Sequence, residues 1–319
     1  MSIDRIATAQ QNAYFLSQIN QAANALNTTQ QQIASQKVST TYAGFGNQTQ
    51  VLQATMTANA RNDAYTTATT LATTQVDMQD TQLTGLSALA TKLTKAVSDA
   101  VSNNDPTTLM DQVQSIFDQA TSILNSKDAN GDYVYSGGKT DTPPVTVSSL
   151  SQLVALPSVA GAFDNGNAKK AVQVADGQTV TYGLTASDVG TQLMQSLKDI
   201  ASFDAGPGGN FNGSPNLTQA QNGFLSGQIA STGTMGDALN TVTAQNGSTF
   251  TRLQNAATQQ SAMSTLYSGF IGNIQDTNMA QAATQLSLDQ TALQAALQVT
   301  STLNKLTLLN YLPSSGTVG

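Results

Sequence analysis

Side chains that could do covalent or metal chemistry are scarce in this sequence. Its 319 residues include no His and no Cys, so the common zinc, haem and iron–sulfur ligand sets are missing. Nucleophile–His pairs and thiol catalysis are missing for the same reason. All 19 acidic residues are Asp, and no Asp pair is distinguished by its neighbours. We therefore predict no enzymatic activity, no catalytic residues, no metal site and no cofactor.

Charge and hydropathy argue against two classes of partner, nucleic acids and membranes. The net charge is −7 and Lys and Arg form no basic cluster, which argues against nucleic-acid binding. No stretch approaches 18 consecutive apolar residues, so we expect no membrane insertion. The opening MSIDRIATAQQNAYF lacks the apolar run of a cleavable signal peptide.

The composition instead favours an assembling protein. Only 10% of the residues are charged and 39% are hydrophobic, while Gln, Asn, Ser and Thr are abundant. Uncharged polar groups cost less to desolvate than ions, so such surfaces suit burial against other subunits. Because the apolar residues recur at helical spacing, a disordered polar tract is disfavoured.

Helices with weakly polar surfaces are predicted at both ends of the chain, with apolar residues spaced alternately three and four apart. The first helix covers about residues 3–35, and the last follows residue 278. We predict that the two ends pair and then pack against further copies of the chain. The residues expected in these contacts are Ile6, Ala13, Leu16, Ile19, Leu26, Ile33, Leu288, Ala292, Ala295, Val299, Leu306 and Leu309.

Longer helices of the same spacing lie inside these ends. Gly44 and Gly46 predict a break before the first of them, and Asp105 with Pro106 predicts the start of a returning helix. A kink is expected at Asn246-Gly247 in the last long helix. The predicted bundle core comprises Val76, Leu83, Leu86, Leu93, Val97, Leu109, Val113, Ile116, Leu239, Val242, Leu253, Met263, Phe270 and Ile274.

Between these helices, the pattern changes to that of a small α+β block. A strand is expected at residues 133–135, and Asp176-Gly177 between two alternating runs predicts a β-hairpin. A short helix is predicted next, capped by Ser187.

The predicted fold class is mainly α: a nested coiled-coil helical bundle formed by both termini, with a small α+β inserted domain. Three domains are expected. Residues 1–40 with 278–319 form the terminal coiled-coil domain, and residues 41–126 with 217–277 form a rod-like helical bundle. Residues 127–216 form a small α+β variable domain.

The C-terminal motifs resemble those of the bacterial flagellin family, which includes filament flagellins and hook–filament junction proteins. Residues 273–280, NIQDTNMA, are similar to the family's IEDxDMA signature, and residues 286–295 to the helix that follows it. Residues 306–312 resemble its LSLL ending. Residues 59–62, before a Thr-rich helix, fit more loosely.

This resemblance implies a structural subunit that polymerises with many copies of itself into the extracellular flagellar filament, for motility. In such a filament, residues 1–40 and 278–319 would form the inner coiled coil, and residues 127–216 would face outward. It also implies export through the flagellar secretion apparatus without a cleavable signal peptide. Further partners implied are an export chaperone, the filament cap and hook-associated proteins.

Two alternatives stay open. Residues 128–144 resemble a run found in junction proteins, so a hook–filament junction protein competes with the favoured filament subunit. A surface adhesin or carbohydrate-binding protein is a weaker alternative. It would use the aromatic residues of the middle block, although aromatic residues in a small hairpin domain more often form its core: Tyr133, Tyr135, Phe163, Tyr182, Phe203 and Phe211.

Overall fold

The computed structural model describes residues 2–213 and 215–309, and the side chains of residues 10–213 and 215–302. Helices dominate this part of the chain. The α-helices are α1 (Ser2–Ser35), α2 (Thr49–Asn103), α3 (Leu109–Leu124), α4 (Leu150–Ala155), α5 (Ala186–Asp204), α6 (Gln219–Gln275) and α7 (Met279–Leu309). Strands β1 (Lys170–Ala175) and β2 (Gln178–Tyr182) form one antiparallel hairpin. The predicted fold class, mainly α with paired ends and a small α+β insertion, is confirmed.

The described residues divide into two compact units. The terminal unit comprises the residues up to Ala60 and from Ser264 onwards, and the central unit comprises Arg61–Met263. This division follows the packing of the chain. The three-domain division expected from sequence remains a prediction.

The central unit is organised around one large hydrophobic core, contributed by helices on either side of the middle block. Leu86 and Leu93 of α2 pack in the same cluster as Phe117 of α3, Leu193 of α5 and Leu239 of α6. Val145, Leu153 and other residues of the middle block belong to this cluster too. The block therefore shares its core with the helical bundle.

A second, smaller core lies under the hairpin. Val172, Val174 and Val180 of the two strands pack with Ala72 and Val76 of α2 and with Leu253 of α6. The turn predicted from Asp176-Gly177 is confirmed, and Gly177 has a φ of +71°, which glycine adopts without the steric cost that a Cβ would add. The hairpin thus covers both long helices of the central unit.

Several details differ from the sequence-based expectations at helix starts. Helix α3 begins at Leu109, because Asp105 accepts hydrogen bonds from the Thr107 backbone N–H and hydroxyl and so stabilises a turn. Hydrogen bonds from Thr107 lower the pKa of the Asp105 carboxyl. Helix α5 is capped by Thr185, with Ser187 one residue inside the helix.

Two other predicted features are absent from the described residues. Residues 133–135 form no strand, since their pairing is limited to an isolated bridge between Lys127 and Tyr133. Helix α6 continues through Asn246-Gly247 without interruption, because the Asn246 side chain faces α2 and donates to the Val76 carbonyl at 3.0 Å. This tertiary hydrogen bond favours a continuous helix despite the glycine.

Candidate functional site: the paired terminal helices

The terminal unit is built on the pairing of α1 with α7, which pack along each other and run antiparallel. A short backbone ladder closes one end of the pair. The Val38 N–H donates to the Gln275 carbonyl at 2.8 Å, and the Thr277 N–H donates to the Gln36 carbonyl at 2.9 Å. These two backbone hydrogen bonds join the segment after α1 to the segment before α7, and so they fix where the two helices begin to pair.

The connector after α1 supplies the few large buried apolar side chains described in this unit. Phe45 lies in the 3₁₀ segment Tyr42–Gln48, and Leu52 lies in the first turn of α2. Gly46 has a φ of +53°, so the predicted break at this glycine is confirmed. Along the helices themselves, the buried positions are Ala282, Thr29 and Asp289.

The most buried contact between α1 and α7 is polar. The Thr29 hydroxyl donates to Asp289 Oδ2 at 2.6 Å, and Gln285 Nε2 of the same helix donates to Oδ1 at 2.8 Å. Only 4% of Thr29 and 6% of Asp289 is exposed. A charged group this buried requires such donors, since desolvation without them is costly.

The structure divides the residues predicted for the inner coiled coil. Ile19, Leu26 and Ile33 of α1 are half-buried, while Ala13 and Leu16 are exposed. In α7, Leu288, Ala292, Ala295 and Val299 are all exposed. The side chains of Ile6, Leu306 and Leu309 lie outside those the structure describes. The role of all these predicted residues in assembly remains a prediction.

The face of α7 that packs on α1 is therefore not the one expected. Its half-buried and buried positions again alternate in steps of four and three, and comprise Ala282, Leu286, Asp289, Leu293, Ala296 and Thr300. Sequence reasoning missed Thr29 and Asp289. A usable indication was present, because Asp289 is the only charged residue between positions 279 and 304 and lies at helical spacing between Leu286 and Leu293.

Most residues predicted for the bundle core are buried within the described side chains. The fully buried ones lie in the central unit: Val76, Leu83, Leu86, Leu93, Val97, Leu109, Val113, Ile116, Leu239 and Leu253. Val242, Met263 and Ile274 are half-buried. Phe270 is 51% exposed, so the prediction that it is a core residue is wrong within the described chain: it lies near the end of α6, beyond the residues that form the hydrophobic core.

The aromatic residues considered for carbohydrate binding are largely in the core. Tyr135 and Phe211 are fully buried, and burial raises the pKa of the Tyr135 phenol. Phe203 stacks on Phe224 with ring centroids 4.0 Å apart. Tyr133, Phe163, Tyr182 and Phe203 are half-buried. None of the six rings is therefore fully exposed for stacking on a sugar, which weakens the adhesin hypothesis.

Chemical sites are not apparent among the described residues. No group of three or more Asp side chains is placed to hold a metal ion. Within the same residues, no helix combines the length and apolar character required to cross a bilayer. The candidate functional feature of the terminal unit is its exposed surface, because large apolar side chains are exposed on both paired helices.

Comparison with known proteins confirms the resemblance drawn from the C-terminal motifs. Residues 229–312 match the family model of the bacterial flagellin C-terminal helical region. Flagellar hook-associated protein 3 of Salmonella typhimurium is 28% identical over 148 residues, which cover 45% of this chain and 42% of that protein. Its Escherichia coli counterpart is 33% identical over 91 residues, covering 27% and 29%. The alignments thus span less than half the length of these curated relatives.

Solved structures share the fold over a larger part of the chain. A flagellar hook-associated protein from Vibrio parahaemolyticus superimposes with a TM-score of 0.57 at 17% identity, covering 70% of this chain and 96% of that one. At this identity the likeness concerns the fold alone. The shared fold agrees with the mainly α fold class predicted from the sequence.

Proposed function

We propose that this chain is a structural subunit of the bacterial flagellum that acts at the junction between hook and filament. The observation that carries the proposal is the match of both sequence and fold to flagellar hook-associated proteins. The sequence alone favoured a filament subunit. These relatives support the junction alternative better, since the curated ones are named hook-associated protein 3.

The geometry of the terminal unit supports assembly as the mechanism. Leu16 is 58% exposed, Leu288 59% and Val299 47%, although each lies on a helix already paired within the chain. Soluble monomers rarely expose large contiguous apolar patches, and such patches mark interaction surfaces. We infer that α1 and α7 of neighbouring subunits cover these side chains, in a contact that need not close into a dimer.

The proposed role is mechanical. The central unit, with its continuous core, would stay folded as the terminal helices engage other subunits. Hook-associated proteins, an export chaperone and the filament cap are the partners we expect, and the flagellar secretion apparatus is the expected export route to the cell exterior. No enzymatic step is proposed.

Copy number separates the junction from the filament. A junction subunit occupies a layer of fixed size, so its copies per flagellum should not change as the filament is sheared and regrown. We propose quantitative mass spectrometry on flagella of graded mean length, with a known filament protein as reference. A constant amount per flagellum supports the junction assignment, and an amount proportional to length contradicts it.

A filament subunit is the second candidate, favoured by the match of residues 229–312 to the flagellin C-terminal region. Immunogold labelling distinguishes the two without counting. Labels confined to one band at the base of each filament support the junction, whereas labels along the whole filament support the second candidate.

A further inference from the structure

The turn of the β-hairpin contains the single Asp-Gly pair in the sequence, Asp176-Gly177. A glycine after aspartate permits a slow reaction of the backbone, because no Cβ hinders its nitrogen. The Gly177 nitrogen attacks the side-chain carboxyl carbon of Asp176 and closes a succinimide ring, while the amide proton and the carboxyl hydroxyl leave as water. Water then opens the ring at either carbonyl. One product is aspartate, and the other is isoaspartate, whose main chain runs through the side-chain carbon.

The nitrogen that would attack is accessible in the structure. Gly177 lies outside the strand pairing, and its N–H makes no hydrogen bond to another described residue. Asp176 and Gly177 are both exposed, so water reaches the turn. Five Asn-Gly pairs could lose ammonia by the related reaction, but there the glycine N–H is engaged. The first three of these glycines donate to loop carbonyls and the last two lie inside α6: Gly131, Gly166, Gly213, Gly223 and Gly247.

Two side chains of α2 hold the other reacting group, the Asp176 carboxylate. The Tyr65 hydroxyl donates to Oδ1 at 2.7 Å, and Arg61 Nη1 pairs with Oδ2 at 3.1 Å. Gln173 Nε2 of β1 donates to the Tyr65 hydroxyl oxygen at 3.3 Å, so the hairpin also positions the phenol. Because ring closure requires the carboxyl carbon to approach the Gly177 nitrogen, contacts that hold the carboxylate on α2 oppose it.

The same contacts favour the ionised carboxyl. The hydrogen bond from Tyr65 lowers the pKa of the Asp176 carboxyl below its ordinary value, and Arg61 adds to this effect. An ionised carboxylate reacts poorly with a nucleophile, because it is negatively charged and has no hydroxyl to leave as water. A lower pKa therefore reduces the reactive, protonated fraction near neutral pH.

We propose that Tyr65 and Arg61 protect the hairpin turn from isomerisation, and that Asp176 is the position at which isoaspartate forms once they are removed. Isoaspartate lengthens the main chain by one methylene at the turn. Since the turn fixes strand register, this would disturb the pairing of Ala175 with Gln178 and the packing of both strands on α2 and α6. The two α2 side chains thus preserve the second core.

The test compares two tyrosine-to-phenylalanine variants of the full chain. Tyr65→Phe removes the hydroxyl that donates to Asp176. Tyr182→Phe removes a half-buried hydroxyl of the same hairpin and leaves that contact in place. Each purified protein is incubated near neutral pH, and isoaspartate is measured by enzymatic methylation of the tryptic peptide 171–198. This peptide contains Asp176 and no Asn, and electron-transfer fragmentation locates the modified residue.

We expect isoaspartate to form at Asp176 about threefold faster in Tyr65→Phe than in the wild type, the size expected for losing one exposed interaction with a charged group. Arg61→Gln should accelerate the reaction less, because Tyr65 has the larger effect on the carboxyl. Tyr182→Phe should match the wild type. Asp176→Glu should give no product at this position, because glutamate would have to close a larger ring.

An unchanged rate at Asp176 in Tyr65→Phe would overturn the proposal. Equal acceleration in Tyr65→Phe and Tyr182→Phe would also overturn it, since the reaction would then follow from a loosened hairpin. If circular dichroism shows that Tyr65→Phe fails to fold, Arg61→Gln decides, and an unchanged rate in that variant contradicts the proposal. The reaction is measured on the subunit alone, so either outcome is independent of where the protein acts in the flagellum.

Discussion

The central and terminal units differ in what fills their helix contacts. In the central unit, large side chains such as Phe117, Leu193 and Met194 are almost completely buried in one continuous core. In the described part of α1 and α7, the fully buried positions are small or polar, and the large apolar side chains are only half-buried or are exposed. Leu286 illustrates the half-buried group, and Leu16 and Leu288 illustrate the exposed one.

This contrast shows that helical periodicity alone does not say where an apolar residue is buried. Both units carry three–four spacing along long helices. In the central unit these rows meet other parts of the same chain, because the middle block folds back onto α2, α3 and α6. In the terminal unit, some apolar side chains of α1 and α7 face no described helix, so they are exposed.

The largest expected effect is on the free energy of unfolding, compared between matched substitutions in the two units. Leu193→Ala removes a side chain that is 1% exposed and should lower the free energy of unfolding by about 3 kcal/mol, through lost burial and the cavity left behind. Leu288→Ala should change it by less than about 0.5 kcal/mol. Urea unfolding followed by circular dichroism measures both. Equal effects would mean that the two helices are buried alike.

The same two variants also test whether Leu288 takes part in assembly. Leu288→Ala, although nearly neutral for the subunit, should reduce incorporation into flagella in a complemented deletion strain, as quantified by immunoblot of sheared flagella. Leu193→Ala serves as the control for a loss of stability. If Leu288→Ala incorporated normally, Leu288 would not be a subunit contact.

A second prediction concerns buried polar groups in the central unit. Gln260 Nε2 of α6 donates to the Thr69 hydroxyl of α2 at 2.9 Å and to the Val174 carbonyl of β1 at 2.8 Å. Gln260→Ala leaves both acceptors buried without this donor, so we expect a loss of about 2 kcal/mol in the free energy of unfolding. Gln254→Ala, at an exposed position of the same helix, is the control. If Gln260→Ala lost no more free energy of unfolding than Gln254→Ala, water would be replacing the Gln260 amide.

A smaller effect is expected at the start of α5. The Thr185 side chain and Asp188 form a reciprocal capping box. Burial raises the pKa of the Asp188 carboxyl, but hydrogen bonds from Thr185 and the contact with Lys169 outweigh it, so the pKa is lowered overall. Thr185→Ala should cost about 1 kcal/mol of the free energy of unfolding. Ser202→Ala, exposed on the same helix, should be neutral; a similar cost at both sites would refute a specific capping role.

The smallest effect is a pH dependence at the hairpin tip. The Tyr65 hydroxyl donates to Asp176 at 2.7 Å and lowers the pKa of that carboxyl, and Arg61 forms an ion pair with it at 3.1 Å. Because the folded pKa is depressed, any stabilisation is complete above the ordinary aspartate pKa, about 3.9, and is lost as the pH falls through the folded value.

The test compares wild type with Asp176→Asn. Their unfolding free energies should differ slightly at pH 7 and converge in acid below the ordinary aspartate pKa. High salt should also reduce the difference, because the pair is exposed. A difference that persisted in strong acid would show that the amide disturbs packing, without any part played by the charge.

The sequence by itself determined the long helices and the hairpin, although the strand expected at residues 133–135 does not form. Apolar spacing placed the long helices correctly, and Asp176-Gly177 placed the hairpin, because both depend on local geometry and on the side chains within the element. The C-terminal motifs indicated the family resemblance, because a motif is read directly from consecutive residues. The bundle core was largely predictable too, since a long helix with one strongly apolar row has one face to bury.

Tertiary structure decided what local patterns leave open. Thr185 caps α5 because its side chain reaches the Asp188 N–H, whereas the nearby Ser187 offers the same chemistry in sequence. Asn246 continues a helix because a carbonyl of α2 accepts its amide. Asp289 of α7 is buried against α1, where it accepts a hydrogen bond from the Thr29 hydroxyl, 260 positions away along the chain. Contacts over such distances in sequence leave no periodicity, so only the folded chain reveals them.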